Sequence, residues 1–179
     1  MIPARARDRD GTLLEVPGWY LTAGCLFPAV WNAVTGRPPA EDLKDYDVFR
    51  LADRGLSWEA EDGVIRAAAE VFADLPAGAE IRNETRVHLR YEQKFGVPCA
   101  PCTSTGAAID SFAATTCCPG VRLDPGGRWR VCAPHELSDV FGLVVRPNPV
   151  RAPRAVYEAK TARRRRQWPE LTVLEWPTA

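Results

Sequence analysis

The chain has 179 residues, 46% of them hydrophobic and 26% charged, which is the composition of one folded domain with a real core and excludes a largely disordered chain. Lys and Arg total 23 and Asp and Glu total 23, so no global field holds a nucleic acid or an anionic membrane, and phosphate must be recognised by local clusters. No uninterrupted run of about 18 apolar residues exists to cross a bilayer. The charged segment Met1–Asp10 lacks the apolar stretch of a secretory signal. A cytoplasmic location is therefore expected, with residues 1–12 as a flexible tail and 13–179 as a single domain carrying a C-terminal helical segment. In that compartment Cys25, Cys99, Cys102, Cys117, Cys118 and Cys132 are expected to be free thiols.

In chain order, Trp19–Leu21 is a short apolar run leading into Gly24. Leu26, Val30 and Val34 then recur at helical spacing, joined by Phe27 and Trp31, until Gly36 stops the helix. Tyr46–Leu51 has the aromatic and β-branched content of a strand. Ser57 caps a helix whose first turn carries Glu59 and Glu61, and Trp58, Ile65 and Phe72 draw its apolar stripe, widened by Val64, Ala68 and Val71. Glu80–Arg82 and Arg86–Tyr91 read as two strands, or as one interrupted at Asn83. Helices are expected near Thr105–Phe112, Leu137–Val145 and Arg154–Gln167, and Val121–Leu123 with Trp129–Cys132 forms a hairpin. Interleaved strands and helices with a hairpin imply an α+β, or mixed α/β, sheet with helices packed on it.

Asp45-Tyr46-Asp47 carries the chemistry. On a strand, residues i and i+2 share a face, so both carboxylates point together and repel unless a divalent cation lies between them. Hard oxygen ligands favour Mg²⁺ or Mn²⁺, which keep coordination positions open for substrate phosphates. Lys44, just before the pair, either attracts phosphate or solvates the strand end. The plain alternative is that the two aspartates are a polar strand edge.

The order of these segments resembles the nucleotidyltransferase superfamily: a Gly-containing turn (Leu21-Thr22-Ala23-Gly24-Cys25) opens a helix, and a strand with two acids (Lys44-Asp45-Tyr46-Asp47-Val48) follows. More specifically, the chain resembles a bacterial nucleotidyltransferase-like family. The matching segments are Gly24 to Trp31-Asn32, Leu43 to Asp47, Leu56 to Asp62, Arg82-Asn83-x-x-Arg86-Val87-His88, Thr103-Ser104-Thr105 with Ala108-Ile109, Val144 to Pro149, and Trp168-Pro169-x-Leu171. The resemblance implies Mg²⁺-dependent chemistry in which Asp45 and Asp47 hold the metal against a nucleoside triphosphate and an acceptor hydroxyl attacks the α-phosphorus. A third acid is expected on a neighbouring strand, and Glu80 is the candidate, as metal ligand or as base for the acceptor. One departure stands out: where many members carry a second Gly or Ser that contacts phosphate, this chain has Cys25 followed by Leu26, Phe27 and Pro28.

Arg82, Asn83, Arg86 and His88 form a polar set that either meets the triphosphate or ties strands together. Thr103-Ser104-Thr105 is most simply a helix cap, with base or sugar contact by Ser104 and Thr105 as the other reading. Arg146, in Arg146-Pro147-Asn148-Pro149, either bridges to a site acid or ends a helix. His135 is expected to start a helix, and Arg163–Arg166 is expected to be a solvated helix face. Cys99-x-x-Cys102 with Cys117-Cys118 invites a zinc reading, strained by the adjacency of the second pair. The rival functions are a non-catalytic descendant that binds a small ligand or a protein partner, and a glycosyltransferase using D-x-D.

Overall fold

The computed structural model describes residues 18–52, 56–124 and 126–178; the expected tail lies outside them. Strands β1 (Tyr20–Thr22), β2 (Asp45–Arg50), β3 (Gly78–Asn83), β4 (Gly120–Leu123) and β5 (Trp129–Cys132) form one mixed sheet in the order β3-β2-β1-β4-β5. Only β2 and β3 are parallel neighbours; the other three pairings are antiparallel. A parallel pair needs a crossover, and helix α2 (Trp58–Val71) supplies it. Ser57 caps α2 by accepting from the N–H of Ala60 at 3.2 Å.

α2 covers the sheet face that carries Val48, Arg50, Ile81 and Asn83. Its fully buried positions are Glu61 and Ala68 rather than the aromatic ends of the expected stripe, and Trp58 is 49% exposed beneath the guanidinium groups of Arg86 and Arg90. The buried acid is fully engaged. Glu61 pairs with Arg50 at 3.2 Å and accepts the backbone N–H of Asn83 at 2.9 Å. Asn83 in turn exchanges hydrogen bonds with the backbone of Ala52. This network locks the C-terminal ends of β2 and β3 to the crossover helix.

The apolar core gathers around α1 (Phe27–Val34), α5 (Ser138–Phe141) and α6 (Arg154–Gln167), with the two-stranded parallel sheet of β6 (Val144–Val145) and β7 (Thr172–Val173). Trp31 is its centre, edge-on to Phe27 and Trp168. Buried Asn32 accepts from the indole N–H of Trp168 at 2.8 Å and donates to the carbonyl of Glu41 at 2.9 Å, so the polar residue inside the core has its partners.

Four local expectations change. Residues 86–91 are not a strand: a 3-10 turn, Glu84–Arg86, leads into helix α3 (His88–Phe95), which ends at Gly96 with φ of +71°. The Asn83 side chain accepts from the N–H of Thr85 and starts that turn, so Arg86, His88 and Arg90 do not share a strand face. The helix expected over 137–145 stops at Phe141, because Leu143 turns left-handed (φ +56°) and releases Val144 to pair with Thr172. His135 lies in a turn after β5 and starts no helix. Within Arg163–Arg166, Arg164 is buried with its guanidinium 4.6 Å from the Phe27 ring, while its three neighbours face solvent.

Replacing Glu61 by Ala strands the buried Arg50 charge and the Asn83 N–H, and is expected to cost about 3 kcal/mol. Urea unfolding of the parent and of Glu61→Ala checks this; a loss under about 1 kcal/mol, typical of an exposed pair, would show that the network does not tie the strands.

Candidate active site

The site is built around the junction of β1 and α1. Thr22 ends β1 with its hydroxyl donating to the carbonyl of Pro119 at 2.8 Å. Ala23 then adopts φ of +51°, a left-handed conformation that costs an alanine about 1 kcal/mol or more. That strain turns the chain into the 3-10 segment Ala23–Cys25 and on into α1. It also brings the backbone N–H of Gly24 to the Oδ2 of Asp47 at 3.0 Å. The glycine is required by proximity: a Cβ there would lie 2.9 Å from Asp47 Oδ2 and 3.5 Å from Asp45 Oδ1.

Asp45 and Asp47 share one face of β2, and in the parallel ladder Asp47 is registered opposite Glu80 of β3. The same face carries Phe49, stacked on Phe112 at 5.3 Å. Burial pushes the Asp47 carboxyl from its ordinary 3.8 up to about 6; the Gly24 N–H opposes this, the negative charges of Asp45 and Glu80 add to it, and the ammonium of Lys160 on α6 pulls back. Glu80 is drawn aside by Arg82 at 3.1 Å, both side chains about half exposed, and the three acids are not gathered within 4.8 Å of one another. Such an exposed pair is weak, so Glu80 is free to swing towards its neighbours. Hard oxygens on one face, a raised carboxyl and a cradle that a Cβ would fill suit Mg²⁺ or Mn²⁺.

The remaining sequence candidates divide. Arg82 reaches the site through Glu80. Asn83 points to the opposite face, within the Glu61 network. Arg86 donates to the carbonyl of Leu56 at 2.9 Å and stacks on Trp58, and the Nδ1 of His88 lies 2.7 Å from the carbonyl of Thr85. Arg86 ties the turn before α3 to the start of α2, and His88 caps its own turn. Lys44 is exposed just before β2. Cys25 is buried with its thiol donating to the Thr22 carbonyl at 3.3 Å, and burial first, then Asp47, pushes it up to about 12. Ser104 caps α4 (Thr105–Ile109) by accepting from the N–H of Ala107 at 3.0 Å, and Thr105 is buried beneath that cap. Arg146 does bridge to an acid, but to Asp139 of α5 (2.8 and 3.2 Å).

Sequence reasoning missed two ionisable residues whose charges couple weakly to Asp47. Lys160 is solvent-exposed yet walled in enough for burial to lower its pKa, and its charge acts on Asp47. It stands one turn before the buried Arg164 on α6, a spacing that by itself names no partner across the fold. Glu84 is 6% exposed, and burial, with Glu61 and against Arg151 and Arg82, raises its pKa to about 8. It lies in the 3-10 turn just past the end of β3.

A mixed sheet whose first strand turns into a helix against two carboxylates on the next strand, with a third acid on a parallel neighbour, defines a nucleotidyltransferase fold. A family profile described as nucleotidyltransferase matches residues 12–173, and the chain belongs to that family. The fold is similar to an NMR structure reported to reveal a CCA-adding enzyme head domain, with TM-score 0.70 and 20% identity over 91% of this chain and 84% of that one. Among curated proteins nothing matches the sequence significantly. Among the described residues no helix is long and apolar enough to cross a membrane.

Folding raises the Asp47 pKa, so the protonated carboxyl is the form the native state favours. Its contribution to stability is complete below about pH 4 and is lost as pH rises through about 6. Asp47→Asn is therefore expected to be more stable than the parent near pH 8 by about 3 kcal/mol, with the gap closing near pH 4. Urea unfolding at both pH values checks the sign. An equal or smaller stability for the variant near pH 8 would contradict it.

Proposed function

We propose that the chain transfers a nucleotidyl group from a nucleoside triphosphate to an acceptor hydroxyl, with Asp45 and Asp47 holding Mg²⁺ or Mn²⁺ and Glu80 as third acid. The observation that carries this is the convergence of both aspartates on Gly24 at the entrance of α1. Bound there, the cation would polarise the α-phosphate and neutralise charge developing on the leaving pyrophosphate.

The chain's own residues supply the rest. The bare Cα of Gly24 leaves room beside the carboxylates, and the first turn of α1 offers N–H groups and a positive dipole end to phosphate oxygens. Lys160 adds a cation on the side of Asp47. The acceptor oxygen forms its bond to the α-phosphorus as the bond to the bridging oxygen breaks. Glu80, released from Arg82, takes the acceptor's proton. Family membership favours nucleotidyl over glycosyl transfer.

A second reading has one observation behind it. The Cys25 thiol is turned into the protein, and Leu26, Phe27 and Pro28 bring no side-chain donor to a phosphate. On that reading the chain is a non-catalytic descendant that binds a ligand or a protein partner.

Calorimetry with each common nucleoside triphosphate, with and without Mg²⁺, separates the readings. Mg²⁺-dependent binding is expected in the parent, abolished in Asp45→Asn/Asp47→Asn and weakened about tenfold in Lys160→Met, the effect of one lost phosphate contact worth about 1.4 kcal/mol. Binding of the same strength without Mg²⁺ supports the non-catalytic reading. No binding by the folded parent overturns nucleotide recognition altogether.

A further inference from the structure

A second group of ligand-type side chains lies at the β4–β5 end of the sheet. Asp110 follows α4, Cys118 follows the 3-10 turn Thr115–Cys117, and His135 lies in the turn after β5. One donor atom of each lies within 4.8 Å of the other two. We propose that Asp110, Cys118 and His135 form a zinc-binding site that pins these three loops together.

The polar atoms argue for an ion. Asp110 Oδ1 and His135 Nε2 approach to 2.6 Å, both shut off from solvent, yet neither has a hydrogen-bond partner of acceptable geometry among the described residues. An ordinary aspartate–histidine pair would point the ring N–H at the carboxylate and satisfy both atoms. Here two orphaned donors to metal and a buried sulfur face one another instead. The sulfur lacks a strong partner too: its contacts are the Ala114 carbonyl at 3.5 Å and the amide of Asn148 at 3.7 Å. Both hydrogens of that amide go to the carbonyls of Asp110 (2.6 Å) and Phe112 (2.9 Å), which ties the Asp110 loop to Asn148 beside the sulfur and leaves no full hydrogen bond for it.

The donor set selects the metal. One thiolate, one imidazole and one carboxylate suit zinc and are unsuited to Mg²⁺. Zinc takes these donors at about 2.0–2.3 Å, which separates them by roughly 3.3–3.7 Å in a tetrahedron. The Asp110–His135 separation is shorter than that range and the sulfur lies within 4.8 Å of both, so binding opens the Asp110–His135 approach by small side-chain movements. The Cys118 thiol gives its proton to solvent as the Zn–S bond forms, and water takes the fourth position. The zinc pattern suggested by the cysteine spacing is a different one and does not form: Cys102 accepts from Arg151 at 3.1 Å, Cys99 contacts the Ala100 carbonyl, and Cys117 is in the core around Trp31.

The test is cobalt substitution of the chelator-treated full chain. One equivalent of Co²⁺ is expected to give a thiolate-to-cobalt charge-transfer band that zinc displaces. The band should be abolished in Cys118→Ser and weakened at least tenfold in apparent affinity in His135→Ala, a substitution in a partly exposed turn. It should persist in Asp45→Asn/Asp47→Asn, which separates this site from the carboxylates. Absence of the band in the folded parent, or its survival in Cys118→Ser, would overturn the proposal.

Discussion

The arrangement depends on holding two like charges together. Asp45 and Asp47 project from the same face of β2, and burial makes their mutual repulsion expensive. The backbone N–H of Gly24, delivered by the strained Ala23, donates to Asp47. That bond lowers the cost without removing it, since the Asp47 carboxyl still sits near pKa 6. A site that stores unfavourable electrostatics in this way is suited to a counter-charge brought by a ligand. The fold holds the tension because Thr22 of β1 is registered opposite Asp47 of β2, and Gly24 follows only two residues later in the 3-10 segment.

The rest of the molecule fixes those strands. The Glu61–Arg50–Asn83 network anchors the far ends of β2 and β3 against α2, while Trp31, Asn32 and Trp168 bind α1 to the C-terminal segment. The second tie has a functional side: it seats α6 so that Arg164 lies over Phe27 and Lys160, one turn earlier, exerts its charge on Asp47. Core packing and site electrostatics are thus joined through one helix.

Much of this is written locally in the chain. The i,i+2 aspartates on a strand, the Ser57 cap, the β4–β5 hairpin and the bounds of α6 follow from periodicity and turn chemistry, which act over a few residues. What was not legible depends on tertiary contacts. Arg86, His88 and Arg90 alternate as on a strand, but Asn83 bonds to Thr85 and tips the chain into a helical turn. Leu137–Val145 has helical composition, yet Val144 pairs with Thr172, far along the chain, and the pairing wins. Lys160 matters because the fold brings its charge to bear on Asp47, and Glu84 because it is buried near Glu61, and nothing in their immediate neighbours says so. The Asp110–Cys118–His135 group spans three loops and has no spacing signature at all.

The central claim is that Asp47 is kept uncomfortable until a divalent cation arrives, and carboxyl ¹³C NMR of the labelled chain reports on this directly. Followed across pH without metal, Asp47 is expected to titrate near 6; with Mg²⁺ saturating, its titration should fall below the ordinary carboxylate range, as a bound cation favours the ionised form. An Asp47 that titrates at its ordinary value and does not respond to Mg²⁺ would contradict the account.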